Sequence, residues 1–231
     1  MHIRYVALFL LAFCAVVSPA AAETVFIQAD RDATLIEDVD GALANGSGPY
    51  VFSGRTAQGS GSIRRAVLRF DIAGALPAKA IIESVSLTLH LRTNNPESNE
   101  IRLHRLQNDW SEGPSSASGG GGSDSEPGDV TWVHTDYDAA RWNRAGGDFI
   151  GRVSARLDVV DAGYQTWATN PHMVQDVRLW QSAPSRNFGW ILIGDESMPQ
   201  TAKSFASRES SEPLLRPVLR VTYRMPGGRV K

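Results

Sequence analysis

Asp109-Trp110-Ser111-Glu112 and Asp129-Val130-Thr131-Trp132 bracket residues 113–129, a stretch built almost wholly from Gly, Ser, Asp, Glu and Pro. Asp109, Glu112 and Asp129 gather carboxyls at one loop mouth. Two carboxyls roughly 5–10 Å apart can serve as acid and base in glycoside cleavage; acidic side chains equally serve to solvate a loop. Trp110 and Trp132 stand at the same mouth. An exposed indole is a flat apolar plate on which the C–H face of a sugar ring docks, so the pair suits glycan stacking. The same two residues suit a core that closes the end of a sandwich, because Trp is highly buried on average.

Residues 204–210 read Ser-Phe-Ala-Ser-Arg-Glu-Ser. As a strand, this segment points Arg208 and Glu209 to opposite faces, so they cannot simply pair with each other. Arg208 then needs a carboxylate such as Asp71, and Glu209 an arginine such as Arg69. Such pairs pin strand register, or they form a polar floor for an anionic sugar. Glu37-Asp38-Val39-Asp40-Gly41 puts oxygen donors in a tight turn, with Asp30 and Asp32 nearby. Calcium at Asp38 and Asp40 is the one cofactor this admits, although the spacing is not that of an EF-hand; an Asp-Gly turn accounts for the same residues. His90, His104, His134 and His172 lack metal-ligand spacing to one another, and no zinc motif is present. There is no G-x-S-x-G, no phosphate-cradling loop and no cysteine nucleophile.

The elements that must position these groups read as strands. Val85, Leu87, Leu89 and Leu91 alternate with polar residues, as do Ala66, Leu68, Phe70 and Ile72. Ile101 and Leu103, residues 153–159 and residues 219–223 repeat the pattern, the period of a strand with one wet face. Residues 188–193 are apolar on both faces and read as a central strand. Residues 24–28 and 50–53 are shorter candidates. Asp40-Gly41, Asn45-Gly46 and Gly48-Pro49 mark turns, and Asn94-Asn95-Pro96 marks a hairpin connection. One helix stands out: Asn170 can cap it, Pro171 suits its first position, and Met173, Val174, Val177 and Trp180 form its apolar stripe. The expectation is an all-β fold, a two-sheet antiparallel jelly-roll-like sandwich with one short helix across an open end or edge. Residues 113–129 are expected to be a flexible loop insertion in a single domain over residues 23–231.

Arg4, an apolar run over residues 6–17 and Ala20-Ala21-Ala22 form a secretory signal peptide, residues 1–22. That run is too short to span a bilayer, which needs roughly 20 residues. The protein is therefore expected to be secreted or periplasmic, with no transmembrane segment. Cys14 is the only cysteine and lies within the leader, so the exported chain folds without a disulfide. A formal net charge of -2 argues against nucleic acid as the main partner. The basic residues are nearly all arginine, whose planar fork matches carboxylates.

Taken in order, Arg65-Ala-Val-Leu-Arg-Phe-Asp71, Val85-Ser-Leu-Thr-Leu-His90, Leu103-His-Arg105, Asp109-Trp-Ser-Glu112, Val130-Thr-Trp132, Asn187-Phe-Gly-Trp190, Phe205-Ala-Ser-Arg-Glu209 and Arg216-Pro-Val-Leu219 resemble the DNRLRE domain. That domain is also called the disaggregatase-related domain, or carbohydrate-binding module family 96. In the family the Asp-Trp and Val-Thr-Trp pieces run almost continuously, whereas here residues 113–129 split them. The resemblance implies a β-sandwich jelly roll, binding of polysaccharide such as alginate, and no catalytic residues of its own.

The expected function is thus non-catalytic binding of an acidic polysaccharide. Arg69 and Arg208 would pair with uronate carboxylates, Trp110 or Trp132 would stack on a ring, and Glu209 and His104 would bond hydroxyls. Two other readings stand beside it: an adhesive surface protein that binds proteins, and a lyase or hydrolase using Tyr137, His134 and Arg141.

Overall fold

The computed structural model describes residues 21–93 and 99–226. Residues 1–20 of the expected leader, Cys14 among them, and the Asn94-Asn95-Pro96 connection lie outside the described residues. Strands run in chain order as β1 (Ala22–Ile36), β2 (Leu43–Ala44), β3 (Tyr50–Arg55), β4 (Ile63–Phe70), β5 (Ile81–Thr93), β6 (Asn99–Leu106) and β7 (Ser123–Asp124). They continue as β8 (His134–Asp136), β9 (Ala140–Arg141), β10 (Phe149–Val159), β11 (Gly163–Trp167), β12 (Trp190–Ile193), β13 (Lys203–Ala206) and β14 (Val218–Arg224). Two helices, α1 (Ile72–Ala75) and α2 (Pro171–Ser182), interrupt the series.

The result is the expected antiparallel sandwich. One layer carries β1, β14 and β5, with β11 and β13 on β5 and β3 on β13. The other carries β1, β4, β12, β6 and β10. Two strands belong to both layers. β1 pairs with β14 from Ala22↔Arg224 to Gln28↔Val218, then with β4 from Ala29↔Phe70 to Ile36↔Arg64. A register shift between Ala29 and Arg31 marks the crossing, where one extra residue bends the strand. β3 crosses likewise, pairing with β13 and then, at Gly54 and Arg55, with β4.

Alternation along the strands builds two cores. Leu68, Leu87, Leu103, Trp190 and Leu219 point between the layers. Trp180 of α2 meets Trp190 edge-on at 4.5 Å, so the helix seals one end of that core. Asn170 accepts the His172 N–H at 2.9 Å, the N-cap its sequence promised. The opposite parity, Ala33, Leu35, Val67 and Ile191, faces outward into a second cluster. Trp110, Val130, Trp132 and Trp142 cover it, all from the long excursion between β6 and β10. Truncating one of these indoles to alanine is expected to cost about 3–5 kcal/mol.

Residues 113–129 are tied down instead of forming the expected free insertion. β7 pairs with β2, and Ala117 N–H donates to Asn45 Oδ1 at 2.9 Å. The buried carboxylate of Asp129 accepts Ser115 N–H at 3.1 Å, the Ser115 hydroxyl and Glu126 N–H at 2.7 Å. Polar low-complexity sequence is held here by hydrogen bonds, since it has no apolar area to bury. The buried guanidinium of Arg64 joins them by donating to the carbonyl of Gly120.

Candidate functional site

A groove rich in arginine lies where α2 meets β6 and β10. At the helix end it is a hollow of about 500 Å³ lined by Arg105, Arg152, Arg178 and Arg186. Arg105, Ile150 and Arg186 also line a narrower neck of about 90 Å³, which Gln107 shares with a third hollow. That third hollow, about 480 Å³, carries Gln107, Asn143 and Arg144. The first two hollows of the groove share Arg105, Ile150 and Arg186, and the third adjoins them at Gln107.

Its charge comes from how the elements end. Arg105 has the inward parity of Ile101 and Leu103, but it lies where the core gives way to α2. It meets Asp176, a buried residue on the inner face of the helix. Arg105 Nε lies 3.1 Å from Asp176 Oδ1, off-line for a hydrogen bond. Arg152 Nη2 donates to the same oxygen at 2.9 Å, while Oδ2 accepts Ser154 Oγ–H at 2.5 Å and Trp190 Nε1–H at 3.0 Å. Asp176 thus fixes two arginines at the groove floor. Arg178 donates to the carbonyl of Ile82 at 2.5 Å. Arg178, Arg186 and Arg144 are exposed, and none makes an ion pair among the described residues. At the far end, Asp148 accepts Asn108 Nδ2–H at 2.7 Å and the N–H groups of Asn143 and Arg144 at 2.7 and 3.0 Å, which shapes the loop that presents Arg144.

The residues singled out by sequence lie elsewhere, and of them only Arg208, Glu209 and Glu112 come together. Trp110 and Trp132 belong to the second core, at 2% and 9% exposure, so neither presents a face to a sugar. Trp110 Nε1–H donates to the carbonyl of Phe188 at 2.9 Å, and Arg65 stacks on Trp132 at 4.8 Å. Arg69 is neutralised by Asp30, with Nε 3.2 Å from Oδ1. His104 is buried against Phe149 and donates Nδ1–H to the carbonyl of Ile150 at 3.0 Å. Burial, with the charges of Arg102 and Arg65, lowers its pKa despite that bond.

Arg208 and Glu209 do pair, against expectation, with Nη1 to Oε1 at 2.5 Å. The reason is that β13 stops at Ala206, so the two side chains leave a turn and not a strand. The turn is set by Ser207, whose hydroxyl donates to the carbonyl of Gly48 and accepts Glu209 N–H. Arg208 Nη1 also donates to Glu112 Oε2 at 2.9 Å, and Arg208 N–H to Asp32 Oδ2 at 2.7 Å. Glu112 Oε1 accepts Asp32 N–H at 2.8 Å. Asp32, Glu112 and Glu209 each bring one oxygen within 4.8 Å of the others. Burial, then the neighbouring Glu209 carboxylate, pushes the Asp32 carboxyl well above the usual range; burial raises Glu112 and Glu209 too.

The other candidates have structural employment. Asp109 lies on the surface with Arg31, 3.3 Å away, and Asp129 clamps its loop, so the three loop-mouth carboxylates do not meet. Asp38 Oδ1 accepts the N–H groups of Asp40 and Ala42 at 3.1 and 2.8 Å, which makes an Asp-Gly turn of the expected calcium segment. His134 is buried, with Nδ1 3.1 Å from Thr131 Oγ1 and Tyr137 edge-on at 5.2 Å, while Arg141 is exposed.

No protein-family model matches the chain, and no curated protein matches it.

Proposed function

We propose that this protein binds an anionic polysaccharide, with uronate residues lying along the arginine groove. The observation that carries the reading is a line of adjoining hollows edged by Arg144, Arg178 and Arg186, which make no ion pair among the described residues. An extended groove suits a chain ligand better than a compact one. Guanidinium forks suit carboxylates, and Gln107 and Asn143 offer amides to hydroxyls. The motif resemblance to the DNRLRE domain points the same way, with a binding surface different from the one first expected. Export by the leader would place the protein where such polymers occur.

The test is affinity electrophoresis through gels containing alginate or neutral dextran. Retardation is expected in alginate alone, and added salt should weaken it, because exposed ion pairs are screened. Each exposed pair is worth about 0.2–1 kcal/mol, so Arg144→Ala with Arg186→Ala should weaken binding roughly two- to thirtyfold. Undiminished retardation by the folded double variant would sink this assignment, and uronate release over time would turn the reading toward a lyase.

A further inference from the structure

The strongest unexplained chemistry outside the groove is the carboxylate cluster that joins β1, the start of the long excursion and the turn after β13. Asp32 is wholly buried opposite Leu68, and its Oδ1 has no hydrogen-bond partner. Glu209 Oε2 is also buried with no N–H donor, and the Glu209 carboxyl meets that of Asp32. Around them, Arg208 Nη1 serves Glu112 and Glu209, and Arg208 N–H serves Asp32. Three carboxylates therefore face one guanidinium. The flanking pairs, Arg31 with Asp109 and Arg69 with Asp30, are each internally neutral and lend no spare positive charge. With all three ionised, two negative charges would be left unanswered, one of them on an Asp32 carboxyl sealed from solvent.

We propose that Asp32, Glu112 and Glu209 bind a calcium ion. Three oxygens at 2.3–2.6 Å from one ion lie at most about 5 Å apart, the spread these groups already have. A divalent charge balances the surplus left by Arg208. The donors are hard oxygens without nitrogen or sulfur, which disfavours zinc and copper. Magnesium holds on to several waters, whereas calcium accepts an irregular shell of protein oxygens, and Asp32 is sealed from solvent. Such an ion would tie together three segments that sequence keeps far apart. It would also hold the Asp32 carboxyl ionised, against the upward push of burial.

The experiment needs no glycan and is independent of the groove reading. The protein is stripped with chelator, then titrated with calcium chloride or magnesium chloride by calorimetry, with melting followed in parallel. The expected result is one calcium per chain and a melting temperature raised by about 5–10 °C at a hundred times Kd. Glu209→Gln and Glu112→Gln, both at partly exposed positions, should weaken calcium at least tenfold in a folded protein, and Asp38→Asn should not. Absence of binding at millimolar calcium, binding unchanged in Glu209→Gln, or a shift with magnesium alone would each overturn the proposal. Asp32→Asn is the stricter variant; if it fails to fold, the two glutamate variants still decide.

Discussion

Asp176→Asn is the sharpest probe of how the groove is built. The wild-type carboxylate is 1% exposed and takes two arginines on Oδ1, with Ser154 and Trp190 on Oδ2. An asparagine keeps the shape, but one of those positions becomes an N–H₂ group. If it faces the arginines, the Arg152 guanidinium loses its acceptor and Arg105 its counter-charge; if it faces the other side, the Trp190 N–H loses its acceptor. Ser154 can turn its hydroxyl, but neither an indole N–H nor a guanidinium can accept. Breaking a buried pair costs about 3–5 kcal/mol. Arg152 is 32% exposed and recovers some hydration, which discounts the figure to about 3 kcal/mol. In urea this is a lower midpoint at constant m, and in heat a fall of about 6–12 °C for a domain of this size. The same variant removes the helix-end hollow's only lining carboxylate, so retardation in alginate should hold or increase while stability falls. A loss below about 1 kcal/mol would refute the picture of Asp176 as a buried hub.

Three further outcomes follow from local geometry. Gly189 has φ +80°, and an added Cβ would meet the Leu68 carbonyl oxygen at 1.9 Å, so Gly189→Ala should cost several kcal/mol, on the order of 3, read from the denaturation midpoint. Asp129→Ala removes the acceptor of the Ser115 and Glu126 N–H groups, costs about 2 kcal/mol, and should speed cleavage within residues 116–122 by a broad-specificity protease; an unchanged cleavage rate would mean the loop is held by other contacts. His104 has a pKa lowered below 6.5, so as pH falls from about 6.5 the unfolded chain takes up a proton first and stability is lost, at no more than about 1.4 kcal/mol per pH unit. His104→Gln should flatten that part of the stability curve, and an identical slope in both proteins would count against it.

Much of the sandwich is legible in the sequence because burial on one face leaves a period of two. Val85 to Leu91 and Leu219 to Tyr223 sit in strands as their alternation requires, and α2 starts at the Asn170-Pro171 cap and carries the apolar stripe inward. β1 is legible only to Gln28, since Asp30, Arg31 and Asp32 break the alternation at the bulge where the strand changes layer. Trp110 and Trp132 look like loop residues in sequence because their core is assembled on the outer face of β1, β4 and β12, a surface a simple two-layer sandwich leaves to water. The groove is invisible for a different reason. Gln107, Arg144, Arg152, Arg178 and Arg186 come from five separate elements and loops with no shared spacing. Arg69 and Arg208 carry the motif resemblance, yet both are neutralised by carboxylates, Arg69 by Asp30 and Arg208 by Glu112 and Glu209.

β1, the N-terminal strand of the described residues, pairs with β14, the C-terminal one, in a register that sets Ala22 against Arg224. The first strand of the fold therefore waits for the final one. No earlier segment can close that layer, and the same strand's other half is needed by β4 for the second layer. Loop closure over nearly the whole chain must precede the reward of the contact, which makes folding slow and late. Until β14 is available, the N-terminal half of β1 has an unpaired edge in that layer.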